Sequence, residues 1–488
     1  MTKEPAARKM FIAGEWRDAT GGATIPVENP ATEEIIATVP KGTVEDAKAA
    51  ADAAYDAKSK VGKISAWERY QFLLRTARLL EERVEEMANL ISLEAGKPIR
   101  DARVEARRAG ITFTAAAEEA KRIYGEVYPA DAYPLPPGNE NRLVFSVREP
   151  IGVVVAISPF NFPLNLLCHK VAPGLAAGNC VIAKPTSETP LVAVRLTEIL
   201  LEAGCPKEAI QVITGPGSSV GNHLVESPYT DLITFTGSTQ IGTQIASLGG
   251  KRAKRIILEM GGMDPVIVLE DADLPRAVEA VSRATFGLAG QVCIAAKRLL
   301  ASDKIADRFA TLLAERVAKF KVGDPLAEDT DMGPVISRGS RDFIHSLVVE
   351  AKEAGAEIKT GGEKIPGRGY FYRPTVLAKV TEDMKVMKDE PFGPVGPVQS
   401  VASDEDAVRI ANSSVYGLQS SIYTKDLRRA LRLAREIKAG GVMINDPTTM
   451  RWDNMPFGGV KLSGLGREGI RYAIQEMTEV KLINVNLA

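Results

Sequence analysis

The stretch Ile151-Gly-Val-Val-Val-Ala-Ile157 is apolar throughout and contains three consecutive valines. An unbroken, β-branched run of this length is typical of a strand buried on both faces. Four more apolar runs follow, at 180–183, 210–213, 232–235 and 256–258. Amphipathic segments with helical spacing separate several of them, for example 190–203 and 239–248. This alternation predicts an α/β fold with a doubly wound parallel sheet.

A second alternating region runs from about residue 265 to 450. It predicts strands at 266–269 and 298–301 and helices at about 274–289 and 304–320. We therefore expect a second α/β domain and a cleft between the two domains. Ligands of parallel sheets bind at the carboxyl ends of the strands.

The flanking regions have different patterns. Residues 43–125 are predicted to be helical, with a capping box at Ser65 and Glu68 and a helix that Gly96 and Pro98 end. A proline-rich stretch at 128–138 has alternating flanks that predict a hairpin, and 479–486 predicts a terminal strand. That strand could pair with the hairpin or with another subunit.

Composition excludes several classes of function. The chain has 61 basic and 62 acidic residues, so no overall field favours nucleic acid or an anionic membrane. Its apolar runs are too short to span a bilayer, and the N-terminal MTKEPAARKM lacks the apolar core of a signal peptide. We expect a cytoplasmic protein with no nucleic-acid or membrane partner.

Cysteine and histidine spacing indicates neither disulfides nor a metal site. The four cysteines, at 168, 180, 205 and 293, are not paired, and the three histidines have no nearby ligand partners in the sequence. We interpret Cys168, Cys180 and Cys205 as buried and inert. Cys293 differs because it ends Phe286-Gly-Leu-Ala-Gly-Gln-Val-Cys293, a glycine-rich approach that leaves a sulfur accessible.

Six motifs together resemble the aldehyde dehydrogenase superfamily, in its order and at about its spacing. They are Ser158-Pro-Phe-Asn-Phe-Pro163, Phe235-Thr-Gly-Ser-Thr239, Leu258-Glu-Met-Gly-Gly262, Gly290-Gln-Val-Cys293, Glu390-Pro-Phe-Gly-Pro394 and Pro456-Phe-Gly-Gly459. The likeness runs from about residue 10 to the end. The resemblance is to the non-acylating members of the family, in the branch that acts on lactaldehyde, glyceraldehyde or succinate semialdehyde.

The resemblance implies three catalytic residues. Cys293 is the nucleophile, and its thiol needs either a lowered pKa or a nearby base to become a thiolate. The Asn161 side-chain amide and the Cys293 backbone N–H stabilise the oxyanion of the tetrahedral intermediate. Glu259 is the general base for hydrolysis of the thioester that hydride transfer leaves.

The resemblance also implies a nicotinamide dinucleotide site. The segment 235–242 joins a strand to a helix, so backbone amides and the helix dipole can meet a phosphate at Ser238. Lys184 is expected at the adenosine ribose, and Glu390 and Phe392 around the nicotinamide. The full expected set is Ser158, Pro159, Phe160, Lys184, Ser187, Gly217, Gly221, Phe235, Gly237, Ser238, Glu390 and Phe392.

Position 187 bears on the choice between NAD and NADP. Many NAD-preferring members carry a glutamate three residues after the lysine, where this chain has Ser187. A serine does not repel a 2′-phosphate, and Lys184 attracts it. The adjacent Glu188 favours NAD instead, because a small backbone shift could aim its carboxylate at the ribose. The prediction is NADP preference or use of both cofactors.

The substrate is expected to be a small aldehyde bound at Asn161 and Arg451. The segment 448–456 resembles the wall of the family's aldehyde tunnel, where Arg451 could pair with a carboxylate or phosphate. A surface ion pair between Arg451 and Asp453 is the alternative.

The predicted division is a dinucleotide-binding domain (1–125 and 150–259), a catalytic domain (260–470) and a small β arm for oligomerisation (126–149 and 471–488). The arm suggests a homodimer or homotetramer. Three other functions stay open: a coenzyme A-acylating dehydrogenase, which generally lacks the glutamate base, a catalytically silent binding or structural relative, and a cysteine hydrolase.

Overall fold

The structure is a computed structural model that describes residues 6–488. The first five residues of the N-terminal stretch, on which part of the signal-peptide argument depends, lie outside the described residues. Within 6–488, no helix is both long and apolar enough to cross a membrane.

The first sheet has five parallel central strands, which confirms the predicted α/β class. Nearly all of their residues are buried, as continuous apolar runs require. In spatial order the strands are Arg255–Glu259, Leu232–Thr236, Val153–Ser158, Cys180–Pro185 and Ile210–Val212. Short antiparallel strands extend both edges: Gly464–Leu465 on one side, and Met10–Ile12 and Glu15–Arg17 on the other.

Helices surround this sheet and bury one large apolar core with it. Their bounds are Val44–Gly62, Ala66–Glu82, Val84–Ala95, Ile99–Ala120, Asn165–Ala176, Leu191–Glu202, Asn222–Glu226, Thr239–Gly250 and Ile470–Glu476. The capping box at Ser65 and Glu68 is confirmed, and Gly96 ends its helix in the left-handed conformation. The prediction of one continuous helix between Ser65 and Gly96 is wrong. The chain leaves helical geometry at Arg83, whose guanidinium pairs with Glu202 on another helix at 2.6 Å.

The second sheet has seven strands and its own apolar core. In spatial order they are Glu357–Thr360, Thr375–Ala378, Val395–Val401, Ala296–Ser302, Asp264–Val268, Gln419–Tyr423 and Gly441–Ile444. All neighbours are parallel except the first pair. The main helices of this region are Leu274–Phe286, Ala306–Val317, Arg338–Glu353, Asp404–Ser413 and Leu427–Glu436.

A three-stranded antiparallel arm forms the third part. The terminal strand Thr478–Asn486 pairs along its length with Arg142–Pro150, which also pairs with Val127–Tyr128. The terminal strand therefore pairs with the hairpin of its own chain. A further small sheet joins Ala6–Ala7, Glu34–Pro40 and Thr24–Asn29, and Tyr416–Gly417 pairs with Val460–Lys461.

The chain returns to the first sheet near its end. The strand Gly464–Leu465 pairs with Arg255–Glu259, and the helix Ile470–Glu476 packs on the helices Asn165–Ala176 and Ile99–Ala120. This return precedes the boundary expected at residue 470, and it brings Glu468 close to the end of the strand that carries Glu259. The division into functional domains stays a prediction.

Candidate active site

Two cavities meet at Cys293. The larger one, of about 670 Å³, lies at the carboxyl ends of the parallel strands in the first sheet, and the smaller one has about 250 Å³. Cys293 lines both of them. The site therefore places one nucleophilic side chain between two separate binding spaces.

The turn that carries Cys293 has unusual backbone geometry. The helix expected to reach residue 289 ends at Phe286, because Leu288, Ala289 and Gly290 all have positive φ, at 51°, 52° and 71°. Such conformations cost energy in residues other than glycine, and they cluster at functional sites. A Cβ at position 290 would lie 2.0 Å from the Gly393 carbonyl oxygen, so only glycine allows this close approach.

Burial raises the pKa of the Cys293 thiol to about 12. Lys297 and Arg451 oppose the shift, whereas Asp264 and Glu259 add to it. The sequence left two routes to a thiolate open, a lowered pKa and a nearby base. Because the pKa of the thiol is raised, the route through a base remains. Cys168, Cys180 and Cys205 are buried as expected, and burial raises the pKa of each thiol.

Asn161 lies beside the nucleophile turn. It is buried, and its amide nitrogen donates to the Gln291 carbonyl oxygen at 2.8 Å while its Oδ1 accepts from the Phe162 N–H at 3.1 Å. Gln291 is itself fixed, because its side-chain oxygen accepts from the Ile336 N–H at 2.8 Å. The amide of Asn161 is thus held at the larger cavity with one N–H left for a ligand.

Glu259 ends its strand with its carboxyl group against Gly458. A Cβ on Gly458 would come within 2.8 Å of Oε1. Neither carboxyl oxygen has a hydrogen-bond partner among the described residues. Burial, followed by the nearby Glu468, raises the pKa of Glu259 well above its ordinary value. Burial therefore favours the protonated form of Glu259 in this position.

Three charged residues behind Glu259 form a buried network. Glu468 accepts from Lys170 at 2.5 Å and from Arg451 at 3.0 Å. Lys170 and Arg451 hold the pKa of Glu468 at about 2 against the effect of burial. The network links the first sheet to the wall of the smaller cavity.

The alternative of a surface pair between Arg451 and Asp453 is wrong. The Arg451 side chain is only 7% exposed, pairs with Glu468 and lies over the Phe457 ring at 3.7 Å. Asp453 instead accepts from Thr112 at 2.6 Å and Arg108 at 3.3 Å. Packing from distant segments separates two residues that the sequence places two apart.

All twelve expected cofactor residues line the larger cavity. Its volume falls in the usual range for cofactor pockets, roughly 300–1,000 Å³. Two of its hydroxyl groups, on Ser158 and Thr236, are buried without a hydrogen-bond partner in the described chain. Ser238 caps the helix Thr239–Gly250, so free helix N–H groups face the cavity. A dinucleotide fits this donor set, although the individual roles stay predictions.

The end of this cavity near Lys184 carries both signs of charge. Burial lowers the pKa of Lys184 to about 8, and Glu188 opposes that shift. The Lys184 ammonium donates to the Pro185 carbonyl oxygen at 3.1 Å, and the Thr186 hydroxyl donates to the Glu188 carboxylate. Ser187 also lines the cavity at this end.

The smaller cavity is lined by apolar side chains and several charged ones. Its cationic residues are Lys97, Arg108, Arg283 and Arg451, and its acidic ones are Asp101 and Glu105. Lys97 is paired with Glu105 and lies over the Phe162 ring at 3.6 Å. The balance of charge in the cavity is positive.

The sequence argument missed several residues of this site, chiefly Lys97, Lys170, Lys297 and Glu468. One signal was present for Lys297, a charge four residues after Cys293 and directly before the strand predicted at 298–301. Lys97, Lys170 and Glu468 lie outside the six motifs, so the motif argument did not reach them.

A cysteine between a cavity that fits a dinucleotide and a second, smaller cavity is an arrangement expected of a dinucleotide-dependent enzyme. The chain belongs to the aldehyde dehydrogenase family, because the model of that family matches residues 16–483.

Individual relatives agree over almost the whole chain. A 3-sulfolactaldehyde dehydrogenase of Priestia aryabhattai is 42% identical over 478 residues, 98% of each chain. A lactaldehyde dehydrogenase of Methanocaldococcus jannaschii is 40% identical over 98% of this chain and 100% of its own. The solved structure of glyceraldehyde-3-phosphate dehydrogenase GapN from that archaeon, complexed with NADP, superposes with a TM-score of 0.90 at 40% identity, covering 95% of this chain and 99% of its own.

Proposed function

We propose that this protein oxidises a small aldehyde to its carboxylate, with NADP or NAD as hydride acceptor and Cys293 as nucleophile. The observation that carries the proposal is that Cys293 lines both cavities. An aldehyde carbon bound to its sulfur would lie where the two spaces meet. Production of reduced nicotinamide from a panel of small aldehydes, with and without coenzyme A, tests the proposal. Acyl-coenzyme A as the product would instead indicate the acylating reaction.

The chain's own residues supply the first half of the reaction. The Cys293 thiol gives its proton to a base, and the thiolate adds to the aldehyde carbon. The resulting oxyanion is held by the Asn161 amide and the Cys293 backbone N–H. When bound, the nicotinamide cofactor supplies the acceptor for the hydride. Loss of that hydride leaves a thioester on the Cys293 sulfur.

Glu259 acts as general base in the second half of the reaction, the hydrolysis of the thioester. Its carboxylate takes a proton from a water molecule, which adds to the thioester and releases the acid and the thiol. The group lines neither cavity in its present position, against Gly458, so this role requires its side chain to rotate towards Cys293.

We propose that the substrate carries an anionic group that Arg451 recognises. Of the three candidate types, succinate semialdehyde is itself anionic, whereas lactaldehyde and glyceraldehyde fit this proposal in their sulfonated or phosphorylated forms. The arginine lines the smaller cavity, and its Nε has no hydrogen-bond partner among residues 6–488. One relative is named for a sulfonated aldehyde and one structural neighbour for a phosphorylated one.

Arg451→Ala is expected to raise KM for anionic aldehydes by about tenfold or more, since a charge-assisted hydrogen bond contributes about 1.5–3 kcal/mol. Neutral aldehydes should change far less. Initial rates with both substrate classes measure the difference. Arg373→Ala, which breaks an exposed pair with Glu363, is the control. Equal effects on the two classes would remove Arg451 from substrate recognition.

Cofactor choice is proposed to favour NADP or to be dual, because Ser187 leaves room for a 2′-phosphate beside Lys184. Ser187→Glu is expected to weaken the binding of NADP relative to NAD by about tenfold, because the new carboxylate repels the 2′-phosphate. Glu188→Gln removes a carboxylate and is expected to strengthen the binding of NADP. Titrating the protein with each nucleotide while monitoring its fluorescence gives the ratio of the two dissociation constants. Ser187→Ala is the neutral control. A wild-type enzyme that strongly prefers NAD would contradict the prediction.

We further propose that the protein assembles as a homodimer or homotetramer through its arm, and that it is cytoplasmic. Several large apolar side chains of the arm are exposed, among them Val127 at 74% and Leu482 at 63%. Exposed apolar side chains of this kind are a feature of association sites. Light scattering on the intact protein gives the assembly.

A further inference from the structure

Lys297 is a buried lysine directly behind the nucleophile. It lies on the strand Ala296–Ser302, whose residues are all buried, and its side chain is 2% exposed. The ammonium group donates to the Cys293 carbonyl oxygen at 2.6 Å and lies 2.9 Å from Glu390 Oε1. A buried ammonium group is costly unless it is paired, so both contacts matter to its placement.

Glu390 extends this contact to a third segment. Its Oε1 also accepts from the Gly262 N–H at 3.2 Å, three residues after Glu259. Glu390 and the nearby Phe392 line the cofactor cavity. One ion pair therefore joins the Cys293 turn, the Glu390 loop and the glycines that follow Glu259.

The charges around the Cys293 sulfur come from four packed segments. Lys297 and Arg451 are the cations that stabilise a thiolate, and Asp264 and Glu259 are the carboxyl groups that oppose it. Burial raises the pKa of Asp264 to about 8, and Lys297 is the strongest opposing influence on that group. Lys297 is thus the leading positive influence on both the Cys293 thiol and the Asp264 carboxyl group.

We propose that Lys297 is a positioning residue that holds Glu390 and the Cys293 turn at one fixed spacing and puts a positive charge behind the thiol. The inference rests on the proposed function for the roles of Cys293 and Glu390. Its tests do not require aldehyde turnover, so the two can fail separately.

The first test is the rate of Cys293 alkylation by iodoacetamide as a function of pH in the ligand-free protein, over a pH range below the raised pKa of the thiol. In Lys297→Met and Lys297→Gln alkylation is expected to be about tenfold slower at each pH, because a nearby cation favours the thiolate. Lys297→Arg keeps the charge and should restore most of the wild-type profile.

The second test is nucleotide binding, measured by fluorescence titration. Loss of the pair frees Glu390, so Lys297→Met is expected to weaken NADPH by about fivefold, a modest loss for one buried polar contact. The fragment 2′,5′-ADP, which lacks the nicotinamide half, should bind as before. The Gln variant serves if the Met variant does not fold, which thermal melting checks.

Lys359→Met is the matched control, since Lys359 pairs with Glu357 at 2.6 Å on the edge strand of the same sheet, and no change in either test is expected for it. Folded Met and Gln variants with the wild-type alkylation profile and wild-type NADPH binding would overturn the proposal. A Lys297→Arg variant as impaired as Lys297→Met would also overturn it, because this result would indicate that Lys297 acts only through packing. The expected shifts in a protein that oxidises no aldehyde would support Lys297 and reject the proposed function.

Discussion

Replacing Cys293 with alanine is expected to lower kcat by at least about 10⁴-fold, because the covalent route has no other nucleophile. Cys293 is the one cysteine of the described chain that is not fully buried. It also lines both cavities. Production of reduced cofactor under saturating substrate measures the loss, and nucleotide binding by fluorescence checks that the variant is folded.

Cys205→Ala is the matched control for this prediction. Cys205 is buried with its sulfur 3.8 Å from the Pro206 carbonyl oxygen, outside both cavities, and its loss should leave kcat within about twofold. A Cys293→Ala protein that keeps a tenth or more of the wild-type rate would show that another group forms the bond to the aldehyde.

Replacing Glu259 with glutamine is expected to lower steady-state kcat by about 10²–10⁴-fold, the usual contribution of a general base. Thioester hydrolysis should become the slow step, because the water no longer has a base. The acylated enzyme is then expected to accumulate. Intact-protein mass spectrometry of the variant mixed with aldehyde and cofactor detects the adduct, which Cys293→Ala must lack.

The pH profile gives this prediction a second readout. Burial raises the pKa of Glu259 well above its ordinary value, so the carboxyl group is protonated below that pKa and charged above it. Only the charged form accepts a proton, so wild-type kcat should rise with pH through the raised pKa. Glu259→Gln should lack that rise of kcat with pH, which is the limb of the profile that Glu259 sets. Glu94, whose pKa burial raises to about 8, caps a helix away from the site, and Glu94→Gln should keep the limb.

Much of the fold follows from local sequence pattern. The five strands of the first sheet were predicted within about two residues, because short continuous apolar runs are typical of central parallel strands. The twelve cofactor residues surround one cavity for a related reason, since most of them follow strand ends that meet at one edge. The interruption at Arg83 was missed because a capping box and an apolar stripe specify where a helix begins, not whether it continues.

The sequence by itself determined the α/β class, the glycine-rich setting of Cys293 and the residues that gather at the strand ends, because these depend on spacing within short segments. Only the tertiary structure decided the electrostatics. Glu468 meets Lys170 across 298 positions, and Glu390 meets the Gly262 N–H across 128. Burial then sets the protonation of Cys293, Glu259 and Asp264. Removing water from a charged group depends on what the whole chain packs around it, and no short stretch of sequence carries that information.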